Sequence, residues 1–414
     1  MKSKLSFSVF SVAIAATGQA ALPQYDPPQL QCRANFSGAF QLPNVTFFTN
    51  STPSINDEAA VAISLGIVSG QDQDGIWYGG NGSGGIVFTT SLEAILSDVS
   101  LNDAGLIVGP QSFSSQDGIY FYDDSDMSSG LLTTLPFGAS GWSATTVNAA
   151  GEVGFRAIFT GRNAWASLSG GATAIHAAEA TLDPLSPYSF LFTPAFNSQR
   201  QIAGKARVGP PNQVADSQPD RIVLIDSDGT TTIIARDDDD EPTSMFDRFD
   251  NSVDVTDDGR VVFQANLVGG GRGVFVSDGM TTVTIATTAM PALTSVESFR
   301  PTISSSGLVA FRGMGPNGRA IFLGDGTELI ELVSEHDLVD SDLGPARIDQ
   351  HDSSPVFGGG PDINAHGDVA FQCGLTPPDN DQIEWGSGVF IVHRQQGLIG
   401  DLNCDGIISV SDIA

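Results

Sequence analysis

The sequence predicts an all-β fold, a seven-bladed β-propeller, from three observations. First, one short motif returns seven times at intervals of roughly fifty residues, which is typical of an array of similar supersecondary units. Second, the intervals hold four strand-like segments each, separated by turn residues. Third, no segment of the repeats keeps a 3.6-residue apolar period for more than a turn or two. Four-stranded units in such an array close into a ring that hides their edges.

The motif consists of an apolar residue, Asn or a substitute, two small or polar residues, often Gly, and a short apolar strand. The Asn position is occupied by Asn56, Asn102, Asn148, Asn197, Thr256, Ser304 and Asn364. Asn hydrogen-bonds the backbone two residues on, and Gly tolerates the positive φ that closes such a turn. Ala59 and Arg200 stand where the first and fourth copies would carry Gly, so we expect those two turns to differ.

The fifth repeat shows the four strands most clearly. They are expected at 251–255, 261–267, 274–277 and 281–286, with the hairpin signal Asp278-Gly279 between the last two. Pro recurs three residues before the Asn position, at Pro53, Pro194, Pro301 and Pro361, as suits the first residue of a strand. The structural alternatives are an open β-solenoid, whose repeats are usually shorter, and tandem sandwiches, whose spacing is less regular.

The chain divides into four parts. Residues 1–20 have the features of a secretory signal peptide: Lys2 and Lys4, an apolar stretch, and small residues before Ala21. Residues 21–50 form an N-terminal segment, and its apolar part, Phe36–Thr49, is the candidate for the strand that completes the last blade. The repeats occupy residues 51–399, and residues 400–414 form a separate calcium-type loop.

Composition limits the partners. A net charge of −30 disfavours binding to nucleic acid and to anionic lipid, and offers carboxylates to divalent cations. Beyond the signal, no stretch approaches the ~20 apolar residues of a membrane span. We therefore expect an exported protein, extracellular or at the cell surface. Export permits one disulfide among Cys32, Cys373 and Cys404, and the pair Cys32–Cys373 is favoured.

The last residues carry oxygen ligands at the spacing of a 12-residue Ca²⁺ loop. The side-chain ligands at positions 1, 3, 5, 9 and 12 are Asp401, Asn403, Asp405, Ser409 and Asp412, and Ile407 offers its carbonyl at position 7. Gly406 supplies the sharp turn at position 6. This pattern predicts a calcium site.

The calcium-type loop resembles the first half of a type I dockerin, a module that docks secreted proteins onto cohesin-type receptors on a scaffold or cell surface. The resemblance implies that a cohesin-like or cell-surface receptor is the partner of a complete module. The chain departs from that pattern because it stops at Ala414, before the first helix and the second loop. One loop without its helix is expected to bind calcium weakly.

The repeats resemble the tandem NxxGxxAF-repeat proteins, which are exported bacterial proteins expected to form propellers and often end in an anchoring or dockerin-like segment. The clearest copies are 148–155, 304–311 and 364–371. The resemblance covers nearly all of the mature chain. It implies an architecture and brings no established activity.

Catalytic residues stay unassigned, since neither HxxxH, HExxH nor a G-x-S-x-G elbow occurs. Two acidic insertions, Asp237–Glu241 and Glu335–Gly360, are candidate sites because propellers place function in loops. Eight residues after the Asn position, Arg156, Lys205 and Arg312 form a cationic set. These three either converge on an anionic ligand or bridge neighbouring blades, and the bridging role is favoured.

These observations favour an exported propeller that acts as a binding or scaffold module, with polysaccharide as a candidate ligand. The alternative is a polysaccharide-degrading enzyme, a glycoside hydrolase or lyase. It requires carboxylates beside an aromatic platform, for which the candidates are Trp77, Trp142, Trp165 and Trp385. A second alternative is a structural protein of the cell envelope.

Overall fold

The fold was determined as a computed structural model, which describes residues 22–34, 42, 46–48, 51–69, 72–91, 95–112, 117–134, 138–350 and 355–395. It confirms the fold class: seven small antiparallel sheets form the ring of a seven-bladed β-propeller. Within these ranges the secondary structure contains strands and no helix. Accordingly, the described part of the chain holds no helix that is long and apolar enough to span a membrane.

The strands follow the chain from blade to blade. β1 (Gln29–Ala34) comes first. Blade 1 contains β2 (Thr46–Phe47), β3 (Ser54–Ile55), β4 (Val61–Ser69), β5 (Asp72–Gly80) and β6 (Ser83–Ser91). Blade 2 contains β7 (Ile95–Leu96), β8 (Ser100–Leu101), β9 (Leu106–Ser112), β10 (Gly118–Asp123) and β11 (Ser128–Thr134). Blade 3 contains β12 (Gly141–Val147), β13 (Val153–Phe159), β14 (Arg162–Ser169) and β15 (Ala172–Ala178).

The remaining blades follow the same plan. Blade 4 contains β16 (Tyr188–Phe196), β17 (Ile202–Val208), β18 (Asp220–Ile225) and β19 (Thr231–Arg236). Blade 5 contains β20 (Phe246–Val255), β21 (Val261–Leu267), β22 (Arg272–Ser277) and β23 (Thr282–Thr287). Blade 6 contains β24 (Ser295–Val296), β25 (Thr302–Ile303), β26 (Val309–Gly315), β27 (Gly318–Gly324) and β28 (Leu329–Ser334). A hairpin of β29 (Leu338–Ser341) and β30 (Gly344–Ile348) precedes blade 7, which contains β31 (Phe357–Ile363), β32 (Val369–Thr376) and β33 (Ser387–Val392).

Blade 7 is completed by the N-terminal strand. β1 pairs antiparallel with β33, with Gln29 opposite Ile391 and Ala34 opposite Ser387. The expectation for Phe36–Thr49 differs from this result: Thr46–Phe47 pairs with β4 in blade 1, and the closing strand lies upstream of that segment. The two ends of the propeller are therefore joined within one sheet.

One apolar cluster fills each junction between neighbouring blades, and seven clusters close the ring. The middle strands are buried on both faces, because alternate side chains of a strand point to opposite sides. In β21, Val261 and Phe263 pack toward blade 4, whereas Val262 packs toward blade 6. The Phe that ends the motif stacks on the next strand of its own blade, as in the pairs Phe263–Phe275, Phe311–Phe322 and Phe371–Phe390.

The Asn of the motif makes two kinds of hydrogen bond. In blade 2, Asn102 Oδ1 accepts the N–H groups of Ala104 and Leu106 at 3.1 and 3.0 Å, which closes its own turn. Asn102 Nδ2 donates to the carbonyl of Asn148 in the next blade at 3.0 Å. A single buried side chain thus shapes the turn and ties two blades together.

The same amide link recurs around most of the ring. In each case the side-chain amide donates a hydrogen bond to a backbone carbonyl of the next blade. The donors are Asn56, Asn102, Asn148, Asn197 and Asn364. Blades 5 and 6 carry Thr256 and Ser304 at this position and therefore have no amide to donate. Between these two blades, Arg260 Nη2 donates instead to the Ser305 carbonyl at 2.8 Å. The repeated motif is therefore a connection between blades as well as a turn.

Ala59 and Arg200 do not change the shape of their turns, contrary to expectation. Both adopt the left-handed backbone, with φ of 57° and 62°, where the other copies have Gly. Such a φ is unfavourable for a residue with a Cβ. Arg200 offsets this cost with an ion pair to blade 3, where its Nη2 lies 2.6 Å from Glu152 Oε1. Arg200 holds the pKa of Glu152 down at about 2.

Asn102→Ala is expected to lower the free energy of unfolding by about 2–3 kcal/mol, because three hydrogen bonds of roughly 1 kcal/mol each are lost. Thr256→Ala is the matched control. Its hydroxyl accepts the Arg260 N–H at 3.1 Å but makes no amide link to the next blade, so we expect a loss of about 1 kcal/mol. Urea denaturation measures both. Equal losses would show that the link between blades contributes nothing.

Cys32 and Cys373 are free thiols, which corrects the expected disulfide. Both are fully buried in blade 7, but on opposite faces of its sheet. Cys32 packs in the cluster shared with blade 1, and Cys373 in the cluster shared with blade 6. Burial raises the pKa of each thiol well above its usual value. Cys404 lies outside the described residues.

Candidate functional site in the central channel

The innermost strand of each blade is disturbed just before the motif. In blades 3, 4, 5 and 7 its register with the next strand shifts, and in blades 1, 2 and 6 it is split into two short strands. Bulges of this kind re-aim side chains. The residue four places before the Asn position lies in the disturbed stretch, and in six blades it lines the central channel. These residues are Thr52, Asp98, Ala144, Thr193, Ser252 and Arg300.

The channel contains a cavity of about 440 Å³, which is within the usual size range of small-molecule sites. Its lining is rich in hydroxyl groups, and none of the described residues that form it is aromatic. The hydroxyl-bearing residues are Thr52, Ser54, Ser97, Ser100, Ser143, Thr145, Thr146, Thr193 and Ser252. The ionisable residues in the lining are Asp98, Asp254, Arg300 and Asp362.

Arg300 of blade 6 faces three carboxylates in this cavity: Asp98 of blade 2, Asp254 of blade 5 and Asp362 of blade 7. Among the described residues, the closest carboxylate oxygen is Asp362 Oδ1, 3.9 Å from Arg300 Nη2. That distance is too long for a hydrogen bond. By contrast, the buried Arg312 holds its carboxylate partner at 2.7 Å. The guanidinium of Arg300 is therefore not held in a structural hydrogen bond.

The three carboxylates are fixed by backbone N–H groups of neighbouring blades. Asp362 Oδ2 accepts the N–H of Ile55 at 3.0 Å, and Asp254 Oδ2 accepts that of Ile303 at 3.1 Å. Asp98 Oδ1 accepts the N–H of Thr52 at 3.1 Å. Ser54 and Ser100 hold the same place as Asp254 and Asp362 in their blades and accept equivalent N–H groups. A hydroxyl thus suffices for this structural bond, and the carboxylates add charge to the channel.

Burial changes the proton affinities of the site. It raises the pKa of Asp362 to about 6, although Arg300 opposes the rise. Burial also raises the pKa of Asp98 and of Asp254. It would lower the pKa of Arg300, but Asp254, Asp362 and Asp98 together raise it above its usual value. Asp254 and Asp362 are partly buried and lose part of their hydration shell, which opposes ionisation, whereas Asp98 keeps exposed surface and the effect of burial on it is smaller.

The cationic residues singled out by the repeat bridge neighbouring blades. Arg156 donates to the Leu191 carbonyl of blade 4 at 3.4 Å, and Lys205 to the Phe249 carbonyl of blade 5 at 2.8 Å. Arg312 donates to the carbonyls of Phe357 and Gly359 in blade 7. These contacts bind the positive charges into junctions rather than gathering them at one ligand.

The acidic residues of the first insertion, Asp237–Glu241, stabilise the insertion itself. Asp237 is buried and accepts the N–H groups of Asp220 and Asp240, at 2.8 and 3.0 Å. Burial raises its pKa to about 6. Asp240 pairs with Arg221 and Arg236, at 2.7 and 3.0 Å. The insertion is thus held by its own carboxylates.

The second insertion forms the β29–β30 hairpin and packs against blade 7. Glu335, His336 and Asp349 bring three potential metal-ligand atoms within 4.8 Å of one another. Arg347 Nη2 lies 2.7 Å from Asp349 Oδ2 and would oppose a cation there. Asp342 pairs with the buried Arg33 at 2.6 Å. His351 and Asp352 lie outside the described residues.

The four tryptophans proposed as an aromatic platform do not line the channel cavity. Trp77, Trp142 and Trp165 are buried, and Trp385 packs against the cluster between blades 6 and 7. The predicted calcium ligands Asp401, Asn403, Asp405, Ile407, Ser409 and Asp412 all lie outside the described residues. The sequence held one signal for the channel site: the residue before the recurrent Pro, of which Arg300 is an example.

Comparison with known proteins identifies a family and supports the fold. The profile of DUF7453, a family of unknown function, matches residues 147–399. No curated protein matches the chain. Among solved structures, an oligogalacturonate lyase in complex with manganese is similar, with a TM-score of 0.51 and 10% identity over 91% of this chain and 99% of that chain.

Two further solved structures are similar to this chain in fold to about the same degree. The uncomplexed acylaminoacyl peptidase of Pyrococcus horikoshii has a TM-score of 0.53 and 12% identity, over 83% of this chain and 51% of that chain. A mitotic checkpoint complex has a TM-score of 0.50 and 11% identity, over 94% of this chain and 100% of that chain. At these identities the likeness is one of fold, and it does not favour the polysaccharide-degrading alternative.

Proposed function

The chain belongs to the DUF7453 family, whose function is unknown, and we propose that it is an exported binding module that takes its ligand in the central channel. The observation that carries this proposal is Arg300. A charged guanidinium lies inside a ring of blades, faces three carboxylates and makes no hydrogen bond to the described residues. Its side chain is 31% exposed, so its unused N–H donors are open to a ligand in the channel.

The proposal includes export and attachment. The signal-like residues 1–20 support export, and the calcium-type loop at 400–414 supports attachment to a surface or scaffold. Polysaccharide is the proposed ligand class because the channel is lined with hydroxyls and charged groups that hydrogen-bond sugars. A cohesin-like receptor is the proposed partner of the C-terminal segment.

The test uses the mature chain, 21–414, titrated by calorimetry with acidic, neutral and amino oligosaccharides, and assayed for new reducing or unsaturated ends. Arg300→Gln is expected to weaken binding of the neutral oligosaccharide on the order of tenfold, because the charged hydrogen bonds to its hydroxyls are lost. Arg162→Gln is the control, since Arg162 is exposed on blade 3 away from the channel. Product release, or equal binding by both variants, would contradict the proposal.

A second arm of the same experiment concerns attachment. Calcium is titrated into the mature chain and into Asp401→Ala/Asp405→Ala, which removes two ligands of the loop. We expect one weak site, with a dissociation constant of roughly 10⁻⁴–10⁻³ M, that the double variant loses. Calcium binding that the double variant retains would show that residues 400–414 do not hold the ion.

A further inference from the structure

The charge balance of the channel determines which ligand it suits. Asp98, Asp254 and Asp362 against Arg300 give the ionised cavity a net charge of −2. The protein as a whole carries −30, so its field also attracts cations. An anionic ligand would find one guanidinium in the cavity and three like charges around it. The cavity therefore favours positive charge.

The spacing of the carboxylates disfavours a single bare metal ion. Among the described residues, Glu335, His336 and Asp349 are the one group of three acidic, His or Cys ligands that comes within 4.8 Å. The three channel carboxylates, from blades 2, 5 and 7, do not form such a group. A ligand that contacts all three must therefore be larger than a single ion and carry several positive or donor groups.

Arg300 supplies the unused hydrogen-bonding groups of the lining. Its side chain is 31% exposed, and its guanidinium makes no hydrogen bond to the described residues. Thr145 also lines the cavity, but its unpartnered Oγ1 is buried and does not open onto the channel. A ligand rich in hydroxyl groups would accept hydrogen bonds from the Arg300 guanidinium.

We propose that the channel binds an oligosaccharide of amino sugars, whose ammonium groups pair with Asp254, Asp362 and Asp98 while its hydroxyls accept hydrogen bonds from Arg300. This inference rests on the proposed binding function and names the ligand class of the same site. Ammonium groups supply the positive charge that the cavity lacks. Hydroxyls accept from the guanidinium and bond the neutral lining.

Proton uptake by the same carboxylates gives the binding a pH dependence. The pKa of Asp362 is raised to about 6, and the pKa values of Asp98 and Asp254 are raised as well. The ammonium ligand needs ionised carboxylates, and Arg300 is the fourth ionisable group that faces them. Once the amino groups of the ligand are fully protonated, affinity is therefore expected to fall as the pH is lowered further through and below 6, where Asp362 takes up its proton.

The test compares three tetrasaccharides by calorimetry with the mature chain: glucosamine, N-acetylglucosamine and galacturonate. The first two share a backbone and differ in charge. The glucosamine tetramer is expected to bind on the order of tenfold more tightly than either other, and to lose that advantage in Asp254→Asn and Asp362→Asn. Both Asn side chains still accept the backbone N–H, so folding is kept. Asp239→Asn, at an exposed loop position, is the charge-matched control.

The outcomes separate the two proposals. Equal or tighter binding of the acetylated or acidic tetramer would overturn the amino-sugar inference and leave channel binding intact. Glucosamine binding that is equally strong in all three Asp variants would show attraction to the acidic surface and overturn the assignment to the channel. No binding of any tetramer would contradict the proposed function itself.

Discussion

A chain that starts after β1, spanning residues 35–395, is expected to lose most of its folding free energy, about 5 kcal/mol or more, relative to residues 22–395. β1 is the outermost strand of blade 7 and pairs along β33. Without it, β33 becomes an unpaired edge, which favours association with other chains. Urea denaturation and light scattering measure the loss of stability and the aggregation.

The contacts of β1 explain the size of this effect. Gln31, Cys32 and Arg33 are 0%, 0% and 3% exposed. Arg33 holds Asp342 of the β29–β30 hairpin through two bonds of 2.6 and 2.7 Å. Gln31 Oε1 accepts the N–H of Gly82 in blade 1 at 2.9 Å. Removing β1 thus breaks blade 7, releases the hairpin and weakens the junction with blade 1.

A circular permutant is the control for this deletion. Gln395 N donates to the Gln24 carbonyl at 2.8 Å, so the two ends of the described propeller are adjacent. A short Gly-Ser linker from Gln395 to Gln24 places β1 directly after β33 in a chain that starts at residue 35. This permutant is expected to recover most of the lost stability. A truncated chain as stable as residues 22–395 would show that β1 does not close the ring.

The ring itself was predictable because each repeat carries its own local constraints. The Asn residues, the left-handed turn position and the apolar strand that follows recur in every copy or nearly so. These features act over a few residues, so their pattern is visible without the structure. The link from Asn102 to the next blade was not visible, since it joins residues 46 positions apart. The motif therefore predicts the turn but not the hydrogen bond from its Asn to the next blade.

The closing strand was missed because its burial depends on distant partners. Phe36–Thr49 is the more apolar segment, whereas β1 includes Gln31 and Arg33. Arg33 is buried because Asp342 neutralises it, and the two residues are 309 positions apart. Local hydrophobicity carries no information about such a partner. The same polar character made β1 a poor candidate from its sequence.

The channel site was missed for a related reason. Its four ionisable residues come from four blades: Asp98 and Arg300 lie four places before the Asn position, and Asp254 and Asp362 lie two places before it. No spacing within a single repeat relates Arg300 to Asp98 or Asp254. The acids of the two insertions were conspicuous in the sequence, yet Asp237, Asp240 and Asp342 are held in contacts that stabilise loops. The conspicuous runs of acidic residues therefore do not form the channel site. Single acidic residues from different blades form it.

Arg312→Ala is expected to lower the free energy of unfolding by about 3–5 kcal/mol, because it leaves the largely buried Glu297 carboxylate with only the half-exposed Arg319 and removes the donor from two backbone carbonyls. Arg312 is 4% exposed and lies between blades 6 and 7. Its Nη2 is 2.7 Å from Glu297 Oε2, and its Nη1 donates to the Phe357 and Gly359 carbonyls at 2.9 and 2.6 Å. The guanidinium also lies 3.8 Å from the centre of the Phe299 ring.

The matched control is Arg319→Ala, which removes the other arginine on the same carboxylate. Arg319 Nε is 3.1 Å from Glu297 Oε1, but its side chain is 40% exposed, so water replaces the lost partner. We expect a loss below about 1 kcal/mol. Equal losses for the two variants would show that burial does not determine how much each ion pair contributes to the free energy of unfolding.

The double variant Arg312→Gln/Glu297→Gln separates the buried charge from the contacts between blades. Blades 5 and 7 carry Gln264 and Gln372 at the position of Arg312, and both are buried, so the fold accommodates Gln there. Replacing Glu297 as well removes the carboxylate that Arg312→Ala leaves without its buried partner. The double variant is therefore expected to recover about half of the 3–5 kcal/mol, or more, in urea denaturation. If it is no more stable than Arg312→Ala, the carbonyls of Phe357 and Gly359, rather than Glu297, are what Arg312 is needed to satisfy.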